Sequence, residues 1–354
     1  MRVALIGCGR IAKRHSQLLG ENQIAGAELA GVCDIVPERA REIGDQYKVP
    51  AFENLYDMMK SVEPNLAVVL TESGNHAKNV IDAAPYGAHV MVEKPMALKL
   101  SDADAMIEAC DKAGSKLFVI KQNRFNLPVV RLREALVVGR FGKLVMGTVR
   151  VRWCRPQAYY DQAPWRGTWA MDGGVLTNQA SHHIDLLEWM MGDVVRVSAM
   201  TRTALADIEA EDTGIAILEF KNGALGIIEA TTATRPKDLE GSISILGELG
   251  SVEIGGFAVN EMKTWNFVHP EPEDDIVLER YSVNPPNVYG FGHKAYYDHV
   301  VRAIRDGGPN LVDGLEGRKS LELINAIYEA VETSQAVDIR FRPRHSRLGE
   351  HPAD

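Results

Sequence analysis

Short apolar runs alternate with segments of helical period through the first third of the chain. Residues 2–6, 29–33, 66–70, 89–92 and 117–120 are short and almost wholly apolar, the mark of strands buried on both faces. Between them, 11–19, 37–45, 55–61, 78–86 and 103–113 repeat apolar residues at helical intervals. Strand and helix taking turns at this spacing predict βαβ units, and so a parallel sheet with right-handed crossovers. The expected fold of this region is an α/β doubly wound sheet.

The pattern changes after Phe125. A helix over 128–138 leads into a long alternating strand over 143–153, and 154–177, rich in aromatics, Arg and Gly, shows no period and reads as a loop. A helix over 180–191, closed by Gly192, comes next. From 194 to 268 the chain reads as strands (194–201, 213–220, 224–230, 242–246, 251–254, 262–267) linked by turns such as Lys221-Asn222-Gly223. Short strands joined by such turns predict a large, mostly antiparallel open sheet. Helices over 294–305 and 315–334 complete an α+β domain, and the polar tail from Arg342 is expected to fray. The expected division is 1–125, 126–338 and a tail over 339–354.

Composition narrows the function classes. A chain of 354 residues holds two or three domains at about 100–200 residues each. Hydrophobic residues at 45% and charged ones at 25% describe an ordinary globular protein. A net charge of -9 argues against a broad nucleic-acid footprint. No apolar run approaches the roughly 20 residues that cross a bilayer, and Met1–Ile6 runs into a strand pattern without a secretory cleavage region. Cys8, Cys33, Cys110 and Cys154 form no CxxC pair. Reduced thiols in a cytoplasmic protein are expected.

Gly7-Cys8-Gly9-Arg10-Ile11-Ala12 follows the first strand and opens a helix. Gly7 permits the tight turn, Gly9 lets the backbone approach a pyrophosphate, and Ala12 allows close packing, with N–H groups of the helix start facing the phosphates. Such a hexamer alone also fits a turn without a ligand; its place between strand and helix, with Asp34 ending the next strand, favours a Rossmann dinucleotide site. A carboxylate at Asp34 accepts ribose hydroxyls and repels a 2′-phosphate, so NAD is expected over NADP, although Arg39 and Arg41 lie nearby. Cys8 and Cys33 read as small packed residues.

Two further segments carry chemistry. Glu93-Lys94-Pro95 follows the fifth strand, at the sheet edge where ligands bind, and Pro95 biases Lys94 toward an extended backbone. Out of context, Lys94 reads equally as a solvated surface residue. In the run from Gly173 to Asp185, a helix beginning near Asn178 would put Asn178 and His182 on one face. His182, His183 and Asp185 also suggest a metal site, but neighbouring helical residues project about 100° apart, so no metal is expected.

Taken together, Gly7–Ala12, Glu93-Lys94-Pro95, Gln122-Asn123-Arg124-Phe125 and the segment from Asn178 to Asp185 resemble the glucose–fructose oxidoreductase/inositol dehydrogenase (Gfo/Idh/MocA) family over nearly the whole chain. The resemblance implies a Rossmann domain followed by an open-sheet α/β domain, an NAD(P)-dependent sugar or polyol oxidoreductase, and dimers or tetramers that pair through the sheet faces. It places Lys94 and His182 at the two catalytic positions. It implies cofactor contacts from Gly7, Gly9, Arg10, Ile11, Asp34, Asn75, His76, Glu93, Lys94 and Gln122. One departure stands out: the family pattern has Asp four residues before the His, where this chain has Asn178, and Ala180 replaces a Gly.

Tyr159-Tyr160-Asp161-Gln162, Trp165-Arg166-Gly167-Thr168-Trp169 and Leu176-Thr177-Asn178-Gln179 are similar to the branch of bacterial UDP-N-acetyl-2-amino-2-deoxyglucuronate dehydrogenases. That likeness implies oxidation of the 3-hydroxyl of a UDP-linked N-acetylglucosaminuronic acid in surface polysaccharide (lipopolysaccharide) synthesis, with a tightly held nicotinamide that 2-oxoglutarate regenerates in some members.

The residues suit that chemistry. Arg pairs planar carboxylates and aromatic rings line small-ligand sites, so Tyr160, Trp165, Arg166 and Thr168, with Asn178 and His182, are the candidate substrate contacts. His182 can take the hydroxyl proton near neutrality; Lys94 either stabilises the alkoxide as a cation or is itself the base, with Asn178 orienting one of them. A loop packed by its own aromatics remains the alternative for the Tyr, Trp and Arg residues. The rival functions are an inositol or free-hexose dehydrogenase, or a non-catalytic NAD-binding regulator. His293, after Tyr289-Gly290-Phe291-Gly292, is unassigned, and 271–275 reads as a solvated acidic loop.

Overall fold

The computed structural model describes residues 1–282, 292–307, 311–339 and 346–350. Two compact units divide the chain, Met1–Lys121 with His293–Leu321, and Gln122–Gly292 with Glu322–Asp354. Tyr289, Gly290, Phe291 and most of the polar tail lie outside the described residues.

The first unit is built on six strands: β1 (Arg2–Ile6), β2 (Glu28–Cys33), β3 (Ala51–Phe52), β4 (Leu66–Val69), β5 (His89–Val92) and β6 (Leu117–Val119). All pair in parallel, in the order β3-β2-β1-β4-β5-β6. Aliphatic side chains on both faces leave Val3, Ala4, Leu5, Val68 and Val90 with no exposed surface, which is why these runs show no polar alternation. The order reverses between β1 and β4, so the ligand crevice falls at their carboxyl ends. The expected doubly wound sheet is present.

Helices Ala12–Gly20, Pro37–Tyr47, Leu55–Val62, His76–Ala83 and Leu100–Lys112 connect the strands. Pro37 starts its helix at a position where no N–H is needed, and the Asn54 side chain accepts from Asp57 N at 2.9 Å to cap the next. The fourth helix yields to a 3-10 turn, Ala84–Tyr86, at Pro85. The two-residue β3 is too short to leave a period in the sequence. The helix Gly292–Arg305, which the pattern grouped with the second domain, packs with this unit: Tyr296 donates to Val119 O at 2.7 Å, and Val119 N donates to Val312 O at 3.2 Å.

The second unit carries eight strands: β7 (Leu144–Arg152), β8 (Val194–Arg202), β9 (Thr213–Phe220), β10 (Leu225–Thr231), β11 (Glu240–Gly247), β12 (Gly250–Gly255), β13 (Glu261–Phe267) and β14 (Val337–Asp338). Their order is β13-β12-β11-β7-β10-β9-β8-β14, antiparallel throughout except for the β7–β10 pair. In β9, Gly214, Ala216, Leu218 and Phe220 face inward while Ile215, Ile217 and Glu219 face out, as strict alternation requires. Helix Ser181–Met191 lies over β7 and β11 and buries Ile184, Leu186, Leu187, Met190 and Met191. The stretch read as a loop over 154–177 holds one short helix, Gln157–Tyr160, and otherwise turns.

Candidate active site

In the first unit the glycine turn joins β1 to helix Ala12–Gly20. Gly7 has φ +96, and a Cβ there would stand 2.9 Å from the Leu70 carbonyl carbon and Thr71 N, so the fold itself demands glycine. Gly9 differs: a Cβ would meet nothing within 4 Å. No packing requires that glycine, and the open space before the helix start is what a close-approaching pyrophosphate needs. Asp34 is buried; its Oδ2 accepts from Cys8 N at 2.7 Å and its Oδ1 from Val36 N at 2.8 Å. The carboxylate therefore braces the turn and retains lone pairs for ribose hydroxyls. Beside it Ile35 is 87% exposed, an apolar surface suited to a base, and Arg10 is an exposed cation near the phosphate position. These residues fit a dinucleotide. Burial, with Asp34 nearby, pushes the Cys8 and Cys33 thiols up to about 12, so both stay protonated packing groups.

At the end of β5, Glu93 is buried and Lys94 half-buried, and the Lys94–Pro95 peptide is cis. Glu93 Oε2 accepts from Lys94 N at 3.0 Å. Its Oε1 lies 3.2 Å from His15 Nε2 and 3.6 Å from His293 Nε2, and His15 Nδ1 lies 2.7 Å from the Tyr297 hydroxyl. Burial alone would raise the Glu93 carboxyl; the two imidazoles outweigh it and hold the group well below the usual carboxylate range. Burial keeps His15 neutral, so a neutral ring donates to the ionised carboxylate while Tyr297 donates to its other nitrogen. His15, Glu93 and His293 are also the group, among the described residues, whose donor atoms could gather round a metal ion, within 4.8 Å of one another. Sequence distance hid them: His15 stands one helical turn beyond Ala12, and His293 lies 200 residues after Glu93.

His76 is fully packed, with Nδ1 2.7 Å from Pro95 O and Nε2 3.0 Å from Thr71 O, so its ring ties together the loops after β4 and β5. Asn75, half-buried, donates to Glu72 Oε2 at 3.2 Å.

In the second unit the helix begins at Ser181, one residue after the start that the pattern gives and three after the Asn178 onset that would put Asn178 and His182 on one face. Asn178, Gln179 and Ala180 N–H groups donate to Gly174 O, Val175 O and Val175 O, so Asn178 lies in a wide turn ahead of the helix and not on its face. Its side-chain amide donates to Asp172 Oδ1, while Asp172 Oδ2 accepts from Gly167 N at 2.9 Å. Asp172 escaped the sequence reading, although it stands six residues before Asn178. Beneath the turn, Glu211 Oε1 accepts from Leu176 N at 3.0 Å and from the Tyr328 hydroxyl at 2.9 Å. Burial pushes the Glu211 carboxyl up to about 7.

The 3-10 turn Gln122–Phe125 grips this helix. Gln122 Nε2 lies 2.9 Å from His182 Nε2, and Arg124 donates to both Asp185 oxygens at 2.8 Å, a buried bidentate pair stacked on Trp189. Gln122, expected at the cofactor, thus touches His182. Asp185 is committed to Arg124, and His183 sits edge-on to Trp153 at 5.9 Å, where burial lowers its pKa to about 4. The suggested His182–His183–Asp185 metal set is not formed.

Tyr160 is buried with its hydroxyl 2.9 Å from Thr232 Oγ1, and Thr168 donates to Trp165 O at 2.7 Å. The Arg166 guanidinium stacks at 4.4 Å on the Tyr159 ring and 4.6 Å on Trp165, and donates to the Tyr159 hydroxyl at 2.8 Å. Its Nε is buried without a hydrogen-bond partner, and among the described residues no carboxylate pairs with it. A cavity of about 810 Å³ in the first unit opens at the amino ends of β1, β4 and β5, lined by Met1, Asn65 and His89, and holds none of the candidate residues. Among the described residues no helix is long and apolar enough to cross a membrane.

Residues 1–121 match the oxidoreductase family's NAD-binding Rossmann fold (GFO_IDH_MocA), and residues 133–339 match its C-terminal alpha/beta domain. The chain is similar to the WlbA dehydrogenase from Bordetella pertussis in complex with NADH and UDP-GlcNAcA, at 44% identity over 96% of this chain and 98% of that one, with a TM-score of 0.92. It is similar to the WlbA dehydrogenase from Chromobacterium violaceum, in complex with the same two molecules, at 43% identity over 96% of each chain and a TM-score of 0.90. The myo-inositol 2-dehydrogenase of Thermotoga maritima is 27% identical over 96% of this chain and 98% of its own length.

Proposed function

The chain belongs to the Gfo/Idh/MocA oxidoreductase family, and from that premise we propose that this NAD-dependent sugar or polyol dehydrogenase oxidises the 3-hydroxyl of UDP-N-acetylglucosaminuronic acid to the 3-keto sugar. The observation that carries the substrate is the gap in likeness: 43% and 44% identity to dehydrogenases solved with UDP-GlcNAcA, against 27% for the inositol enzyme. Arg166 adds a local reason. A stacked guanidinium with a buried Nε that has no partner, and no carboxylate paired with it, among the described residues suits the carboxylate of a uronic acid, with Tyr160, Trp165 and Thr168 shaping the loop around it.

NAD supplies the hydride acceptor. The rest of the reaction falls to the protein. Gly7, Gly9, Arg10 and Ile11 would seat the pyrophosphate and Asp34 the adenosine ribose; Asn75, His76 and Glu93 would shape the crevice rim. We assign His182 as the base that takes the hydroxyl proton and Lys94 as the ammonium that stabilises the developing alkoxide, with Asn178 orienting the sugar or the imidazole.

The rival is inositol or a free hexose, favoured by the curated relatives such as the Bacillus subtilis scyllo-inositol 2-dehydrogenase, 24% identical. Purified protein with NAD should reduce the nicotinamide with UDP-N-acetylglucosaminuronic acid, and not with UDP-N-acetylglucosamine or myo-inositol. The reverse ranking would end the proposed substrate. The same proposal includes recycling of reduced nicotinamide by 2-oxoglutarate, a place in surface polysaccharide synthesis, and a cytoplasmic homo-oligomer, dimer or tetramer. Outward-facing Met200, Ile215, Ile217 and Leu225 on β8, β9 and β10 are suited to that pairing.

A further inference from the structure

Gln122 is 8% exposed, and its amide nitrogen faces His182 Nε2 at 2.9 Å. An amide N–H can only donate, so in this arrangement Nε2 holds a lone pair and the ring proton sits on Nδ1. The other end of the same amide, Gln122 Oε1, is buried with no hydrogen-bond partner among the described residues. The turn is kept against the helix by the bidentate Arg124–Asp185 pair two residues on, so the amide stays beside the ring.

We propose that Gln122 is a positioning residue for His182: its N–H fixes the Nδ1–H tautomer, so that Nε2 is the proton-accepting atom, and its carbonyl accepts from Nε2 once the proton has arrived. The proposal rests on the reading of His182 as the base. The substrate hydroxyl displaces the amide N–H from the lone pair. The Nε2 lone pair takes the proton, the O–H bonding pair becomes the C=O π bond, and the C–H bonding pair leaves the carbinol carbon as hydride, for which NAD would be the acceptor. An N–H would then face an N–H, and a half-turn of the amide brings Oε1 to the new donor. A buried carbonyl without a partner in the resting site is otherwise costly, and this gives it a use. The charged groups around the ring's segment are matched: Asp172 holds Asn178 and Gly167 N, and Arg124 holds Asp185.

The tautomer is readable directly. In ¹⁵N-histidine-labelled protein, with His182 assigned by its loss in His182→Ala, the wild type should show a protonated Nδ1 and a bare Nε2. Gln122→Glu, which can only accept, should move the proton to Nε2. Its kcat should fall by about 10- to 100-fold, within what a placed general base contributes, while KM for the nucleotide sugar stays within about threefold. If that variant does not fold, Gln122→Leu should show mixed tautomers in place of one. A wild-type ring protonated on Nε2, an unchanged kcat in Gln122→Glu, or a pure Nδ1–H ring in Gln122→Leu would overturn the proposal. Wild-type turnover in His182→Ala would instead sink the assignment of the base, leaving the wild-type spectrum still to be read.

Discussion

Asp172 Oδ1 accepts a hydrogen bond from the Asn178 side-chain amide, which puts a buried carboxylate directly behind the turn that leads to His182. The pair works because one partner is neutral. Two carboxylates at that separation cannot both ionise, and they would share a proton. Asn178→Asp, which restores the family's usual residue, should therefore destabilise this chain by about 1–3 kcal/mol at pH 8, the range for a buried polar group facing the wrong partner. The deficit should shrink at pH 5, where one carboxyl keeps its proton. Thermal unfolding at the two pH values checks this; equal stability at pH 8 would mean that the amide contact contributes nothing.

Arg124 and Asp185 brace the helix that carries the candidate base. Both side chains are at most 5% exposed, so removing one partner leaves the other charge stranded in the interior. Arg124→Ala should cost about 3–5 kcal/mol in urea unfolding. A paired replacement by apolar residues, Arg124→Met with Asp185→Leu, should recover most of that, because neither charge then remains buried. If the single variant loses under about 1 kcal/mol, the helix holding His182 is fixed by its apolar face instead.

Asp34 braces the turn through Cys8 N and Val36 N, and in the proposed NAD site its charge would exclude a 2′-phosphate. Asp34→Ser with Ile35→Arg removes the repulsion and adds a cation at an exposed position. The ratio of kcat/KM for NADP over NAD should rise by about 10- to 100-fold, each tenfold being about 1.4 kcal/mol. Because the brace is weakened as well, kcat/KM for NAD should drop below wild type in the same variant. Steady-state kinetics with both cofactors separates the two effects.

Local signals made much of this legible. β1, the glycine turn and Asp34 are contiguous in pattern, and the alternation of β9 is printed in the sequence. What stayed hidden depends on distant chain segments. Nothing near Glu93 announces that His15, His293 and Tyr297 converge on it, because those contacts span 78 residues or more. Gln122, for which the resemblance implies a cofactor contact, also lies against His182, and no local rule places a turn residue against a helix 60 positions on. The pattern places the onset of the His182 helix at 180, within a residue of Ser181, and leaves open whether Asn178 belongs to it. Its first turn lacks a side-chain cap, and hydrogen bonds from Asn178 to Ala180 imitate helix without being it.

Glu211 gives a pH dependence of folding whose direction is set by burial. Its carboxyl, under the turn that carries Asn178, is pushed up to about 7 from an ordinary value of 4.5. Between those values the folded chain binds a proton that the unfolded chain has lost. The Glu211 contribution to stability should therefore fall as pH rises from 4.5 toward 7 and level off above it, by about 3 kcal/mol in all. Glu93 and Asp274, held low by their partners, act with the opposite sign as pH falls through about 4.5, and His15, His76 and His183, whose pKa burial lowers, do the same from about pH 6.5 downward, so the Glu211 contribution is read against a variant that lacks it. Glu211→Gln keeps an acceptor for Leu176 N and Tyr328 while removing the titration. From pH 5 to pH 8 the melting temperature of this variant should therefore rise relative to that of the wild type measured beside it. Parallel curves for the two proteins would show that Glu211 stays ionised in the folded state, and that the bonds from Tyr328 and Leu176 outweigh its burial.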